Sequence, residues 1–172
     1  MYKLVMILVI FLCSTIIGFS YGERFSKRLD DLKEAYRAII LLQNEILYNN
    51  TPLSEAFNII STKLREPFSR ILEKFSKELD NLDTNDFSMI LKDIYSKNED
   101  ELYFDKADKK IIEQFSISLG NTGIYGQENI FKLVLENLKI NISEAEELAK
   151  KNAKLYRYLG MCFGAMISIV LI

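Results

Sequence analysis

Charged residues avoid two stretches of this chain and crowd the region between them. Leu4 to Gly22 and Tyr158 to Ile172 contain no Asp, Glu, Lys or Arg. Between them, apolar positions recur in steps of three and four, the period of an amphipathic helix. Phe25, Leu29, Leu32, Tyr36, Ile39, Gln43 and Ile46 form one such stripe, leading out of the first apolar stretch with no Pro or Gly after Gly22. Phe131, Val134, Leu138, Asn141, Ala145, Leu148, Asn152, Leu155 and Leu159 form another, running into the second.

Shorter helices are marked by punctuation. Thr51 and Pro52 read as N-cap and first helical residue, with Glu55 in the first turn of a helix reaching about Leu64. Pro67 opens a second, with Phe68, Ile71, Leu72, Phe75 and Leu79 inward. Asp83 to Asp86 reads as a turn before Phe87, Ile90, Leu91 and Ile94. Asp105 caps a helix carrying Ile111, Ile112, Phe115 and Leu119, which Gly120 is predicted to end with a positive φ. The run from Gly120 to Gly126 is the densest loop signal in the chain. Strand-like alternation is absent. The predicted fold class is all-α: a cytoplasmic six-helix bundle, in two three-helix halves joined by the charged linker 97–101, between N- and C-terminal transmembrane helices. The predicted divisions are 1–22, 23–157 and 158–172.

Charge sets an expected orientation. All 24 acidic residues fall within 23–150 with 18 of the 22 basic ones, a net of −6 that makes nucleic acid a poor partner. Arg24, Lys27 and Arg28 flank one apolar end, and Lys150, Lys151, Lys154 and Arg157 flank the other. Basic flanks stay on the cytoplasmic side of a bilayer. A two-pass membrane protein is therefore expected, with its middle domain cytoplasmic and both termini outside. Phe19 and Tyr21 spoil the small-residue pattern of a signal-peptide cleavage site. The second end is short, about 22 Å of helix against a hydrocarbon core of about 30 Å. Small residues recur every four positions at both ends: Ser14, Gly18 and Gly22, then Gly160, Gly164 and Ser168. Such stripes let helix backbones approach closely, and in an antiparallel hairpin they pair Gly22 with Gly160 and Gly18 with Gly164.

Chemistry is sparse. The chain has no histidine, and its two cysteines, Cys13 and Cys162, lie one in each apolar end. No phosphate loop, dinucleotide fingerprint, Cys-x-x-Cys or nucleophile elbow occurs. No catalytic residue, metal site or cofactor is expected. An anchored scaffold that binds other proteins and the lipid bilayer is what remains, with a homo-oligomer as one form it could take.

The residues Leu42-Gln43-Asn44-Glu45-Ile46-Leu47-Tyr48, followed by Thr51-Pro52-Leu53-Ser54-Glu55-Ala56, resemble the stage III sporulation protein AB family of endospore-forming bacteria. Pro67-Phe68-Ser69, Leu119-Gly120 before Gln127, and the run from Lys154 to Gly160 with Gly164 beyond follow in the same order. The loop departs from the family's Ser-Asp, reading Asn121-Thr122-Gly123 here. The resemblance implies a six-helix fold similar to the inner-membrane platform protein of type II secretion. It implies a place in the channel between mother cell and forespore, with the domain in the mother-cell cytoplasm. The implied partners are a cytoplasmic secretion-type ATPase and other membrane proteins of that channel. Glu45, Gly120 and Gln127 are the candidate partner contacts, Glu45 being equally readable as a surface charge or an internal pair with a Lys or Arg. The alternative reading is a membrane-anchored adaptor or scaffold unrelated to secretion.

Overall fold

The computed structural model describes residues 2–81, 90, 93–94, 96–98, 101–121 and 124–171. Side-chain surroundings are described for 6, 9, 12–80, 90, 93–94, 96–98, 101–119, 126–152, 155–156, 158–159, 161–162 and 165–167. The described residues form helices and turns, with no strand among them. In chain order they are α1 (Tyr2–Gln43), a π-helical turn (Asn44–Tyr48), α2 (Leu53–Ser61), α3 (Phe68–Asn81), α4 (Lys106–Asn121) and α5 (Ile124–Leu171). The two predicted stripes thus lie on helices of 42 and 48 residues.

Contacts divide the chain into two compact units, residues 30–142 and residues 1–29 with 143–172. The larger unit has an apolar interior. Leu32, Leu42, Ala56, Phe57, Ile60, Phe75, Phe131 and Leu138 are buried, as the three-and-four spacing requires. Phe57 and Phe75 meet edge to face at 4.6 Å, and the rings of Phe115 and Phe131 lie tilted to each other at 5.4 Å. The Ser76 hydroxyl donates to the Ser54 carbonyl at 2.9 Å and ties α3 to α2.

The two predicted three-helix halves share one core. Ala38, Phe57 and Phe75 from before the linker line an apolar cavity of about 90 Å³ with Leu102, Phe104 and Phe115 from after it. Phe68 packs edge to face on Phe104 at 6.1 Å. The linker itself is held in place. Asn98 is buried, donating to the Ile94 carbonyl at 2.6 Å and accepting from Lys74 at 3.4 Å. Glu101 pairs with Arg70. Of the predicted fourth helix, Ile90 and Ile94 are buried, while Phe87, Leu91 and the turn 83–86 lie outside the described residues.

Two helix ends differ from expectation. α2 begins at Leu53, with Pro52 as the capping residue; the Ala56 N–H bonds the Pro52 carbonyl at 2.8 Å. Thr51 is one residue too early to cap it. α4 runs through Gly120 to Asn121, and no described glycine has a positive φ. Thr122 and Gly123 lie outside the described residues, and α5 is already helical at Ile124. The expected seven-residue loop is therefore mostly helix.

The smaller unit has the opposite surface logic. Gly18 and Gly22 are buried, whereas Ile16, Ile17, Phe19 and Tyr21 on α1 and Tyr158, Met166 and Ile167 on α5 are exposed. Among the described residues no helix is long and apolar enough to cross a membrane.

Replacing Phe75 by alanine removes the centre of the shared core. The variant is expected to lose about 3–5 kcal/mol of unfolding free energy in urea titration.

Candidate functional site

The side chains with chemistry gather at three places, each built by helix ends or helix faces. The first is the π-helical turn that closes α1. Its wider ring brings the Asn49 N–H to the Asn44 carbonyl at 3.2 Å. Asn50 then takes φ 53, a left-handed conformation that Asn tolerates better than most residues. Glu45 organises this turn. It is 9% exposed. Its Oε2 accepts from Asn49 Nδ2 at 2.8 Å and from the Thr51 hydroxyl at 3.2 Å, and its Oε1 pairs with Lys63 at 3.3 Å. Its carbonyl takes the Thr51 N–H at 2.9 Å. Hydrogen bonding from Asn49, and then from Lys63 and Thr51, holds the carboxyl below its ordinary value of 4.5 despite the opposing effect of burial. The internal pair with a basic residue is thus present. Tyr48 beside it is the exposed group, and Glu55 is exposed on the first turn of α2.

The second place is the start of α4. Asp105 Oδ1 accepts the N–H groups of Ala107 at 2.8 Å and Asp108 at 2.9 Å, while Asp108 Oδ2 returns to the Asp105 N–H at 3.0 Å. This is a reciprocal capping box with Asp in the position usually held by Glu. Asp108 is fully buried, and its Oδ1 accepts Asn141 Nδ2 of α5 at 2.7 Å. Asn141 is a polar member of the predicted stripe on the last helix, whereas Asp108 carries no such signal. The Asp-x-x-Asp spacing at a helix start was the available clue.

The third place is an open polar groove of about 480 Å³ between α1 and α5 of the larger unit. Tyr36 and Gln43 line one wall, and Glu128, Lys132, Glu136 and Lys139 the other. Gln127, half-buried on the first turn of α5, stands next to this wall in sequence. The surroundings of Gly120 lie outside the described residues.

The small-residue stripes belong to the smaller unit. Ser14 is half-buried, and Gly18 and Gly22 are buried. The α5 backbone is helical through Gly160, Gly164 and Ser168, whose surroundings lie outside the described residues. Tyr156 stacks on Tyr21 at 6.1 Å and on Phe25 at 5.7 Å. Its ring therefore faces the turn of α1 between those two residues, within about a turn of the antiparallel register expected from the glycines. Among the described residues no group of His, Cys, Asp and Glu could hold a metal ion.

The profile of the stage III sporulation protein AB family matches residues 3–172. The chain belongs to that family. Stage III sporulation protein AB of Bacillus subtilis (strain 168) is 28% identical over 171 residues, covering 99% of both chains. A solved structure of stage III sporulation protein AB superimposes with a TM-score of 0.66 at 27% identity, covering 72% of this chain and 96% of its own. The all-α fold and the sporulation class are thus common to this stage III sporulation protein AB homologue and its relatives.

Two outcomes follow for the anchoring carboxylates. Glu45 has a lowered native pKa, so its contribution to stability is present above the unfolded value and is lost as pH falls through the native one. As pH falls below the ordinary carboxylate value of 4.5, the urea midpoint of the native protein should therefore drop more steeply than that of Glu45→Gln. Asp108→Ala strips a helix cap and leaves Asn141 without its acceptor. Its unfolding free energy in urea titration should fall by about 2–4 kcal/mol.

Proposed function

We propose that this protein is a non-enzymatic platform in the mother-cell membrane, coupling a cytoplasmic secretion-type ATPase to the channel that links mother cell and forespore. The smaller unit is its bilayer-embedded part, two-pass with both termini outside, and the larger unit is its cytoplasmic part. The observation that carries this reading is the inverted surface of the smaller unit. Gly18 and Gly22 are buried while Ile16, Ile17, Tyr158 and Met166 point outward. Water disfavours so large an apolar surface, whereas lipid does not, and small residues inside are how helices pack within lipid. Membership of the family and the resemblance to secretion platforms supply the biological setting. The polar groove lined by Lys132, Lys139, Glu128 and Glu136 is the surface assigned to the motor. Its mixed charges suit a protein surface of matching pattern.

The test is crosslinking in sporulating cells followed by purification of the full chain from the membrane fraction. A secretion-type ATPase should co-purify. Lys132→Glu with Lys139→Glu should reduce its recovery about tenfold, as loss of about 1.4 kcal/mol of affinity would, and should reduce spore yield. Recovery of membrane proteins without any ATPase would favour the anchored adaptor. A chain found only in the soluble fraction would sink both readings.

A further inference from the structure

Three kinds of residue follow one another along both helices of the smaller unit, in opposite chain directions. On α1, exposed apolar side chains run from Met6 to Phe19; exposed Tyr21 comes next, then Arg24, Lys27 and Arg28. On α5, read backwards, exposed Ile167, Met166 and Met161 lead to exposed Tyr158, then to Arg157, Lys154, Lys151 and Lys150. The stacking of Tyr156 on both Tyr21 and Phe25 brings the two series to one level. Tyr21, Arg24 and Arg28 of α1 and Lys151 and Tyr158 of α5 therefore make a single collar beneath an apolar surface.

The collar has excess positive charge. From Gly22 to Arg28 and from Lys150 to Tyr158 the chain carries seven basic residues and one acidic residue, Glu23. Local pairs neutralise part of it: Lys27 with Glu23 at 3.3 Å and Lys150 with Glu146 at 3.0 Å. Arg24 and Lys151 are exposed and make no ion pair among the described residues. Amphipathic tyrosines settle at the headgroup level of a bilayer, and Lys and Arg just beyond them meet the phosphates. Anionic lipids attract such groups by about 1 kcal/mol per residue, close to fivefold.

Given the bilayer contact proposed for this unit, we infer that the collar of Tyr21, Arg24, Arg28, Lys151 and Tyr158 is a binding site for anionic phospholipid headgroups. Arg24 and Lys151 supply charge that no ion pair among the described residues balances, and the two tyrosines fix the depth at which it meets the phosphates. The preference is for net-negative over zwitterionic lipid, and it weakens with salt.

The full chain is reconstituted in phosphatidylcholine vesicles containing about 30% phosphatidylglycerol, a typical anionic fraction for this purpose. The vesicles are floated and extracted in mild detergent, and the lipid remaining on the protein is quantified. The native chain should retain phosphatidylglycerol and phosphatidylcholine at about five times their bulk ratio. Arg24→Glu with Lys151→Glu should float equally well but retain the two lipids at the bulk ratio. Arg24→Lys with Lys151→Arg, which keeps the charge, should retain the enrichment. Equal retention of both lipids by the native chain, or undiminished enrichment in the charge-reversed variant with unchanged helix content, would overturn the headgroup site while leaving the bilayer contact standing. Failure of the native chain to float with the vesicles would overturn the bilayer contact and the site with it.

Discussion

Segments that join helices carry N–H groups that no helix satisfies, and each one buried without an acceptor costs about 1–3 kcal/mol. In the larger unit two of those acceptors are carboxylates on α1. Asp31 takes the Tyr103 N–H at 2.7 Å, from 72 residues further along the chain. Glu34 takes the Arg65 N–H at 2.7 Å. Glu45 holds the turn at Asn49 and Thr51 and reaches Lys63. Asp31 and Glu34 thereby dock two connections on α1 through backbone donors, and Glu45, in the turn after α1, fastens a third through side chains. Asp108 does the same for α4 and α5 through its capping box and Asn141.

This use of carboxylates gives the acidic surplus of 23–150 a structural meaning. Part of the net charge is internal fastening, arranged along α1 so that the apolar side chains between the fasteners stay available for the core. Leu32, Ala35, Ala38, Ile39 and Leu42 are all buried, interleaved with Asp31, Glu34 and Glu45. The same arrangement explains why the chain on both sides of the linker closes over a single interior. Tyr103, just past the linker, is pinned to α1, and the neighbouring Leu102 and Phe104 are carried into the core beside Phe68 and Phe75.

Helix identity was legible because the three-and-four period is a property of neighbours in the chain. Phe68, Phe75, Phe115 and Phe131 were all readable as inward from spacing alone, and they are buried. The Asp105 cap was equally local. What spacing did not reveal were the features decided by partners distant in sequence. Glu45 carries no mark that distinguishes a surface charge from a fastener, because Lys63 meets it only after α2 has turned back. Asn98 looks like a linker residue until Lys74 and the Ile94 carbonyl enclose it. Gly120 illustrates the opposite error: a glycine in a loop-like run suggests a stop, yet the backbone keeps its helical φ there.

The ring of Tyr156, caught between two aromatic side chains one turn apart on α1, behaves like a pawl in a toothed rack. A helix offers equivalent seats only at intervals of one turn, about 5.4 Å. Sliding of α5 past α1 inside the smaller unit is therefore a stepped motion rather than a continuous one. The next seats along α1 are unlike the present one: toward the N-terminus lies the Ile17–Tyr21 turn, with one aromatic, and toward the C-terminus the Phe25–Leu29 turn, again with one. Only the Tyr21–Phe25 notch offers two rings, so axial displacement along the helices has a single deepest stop.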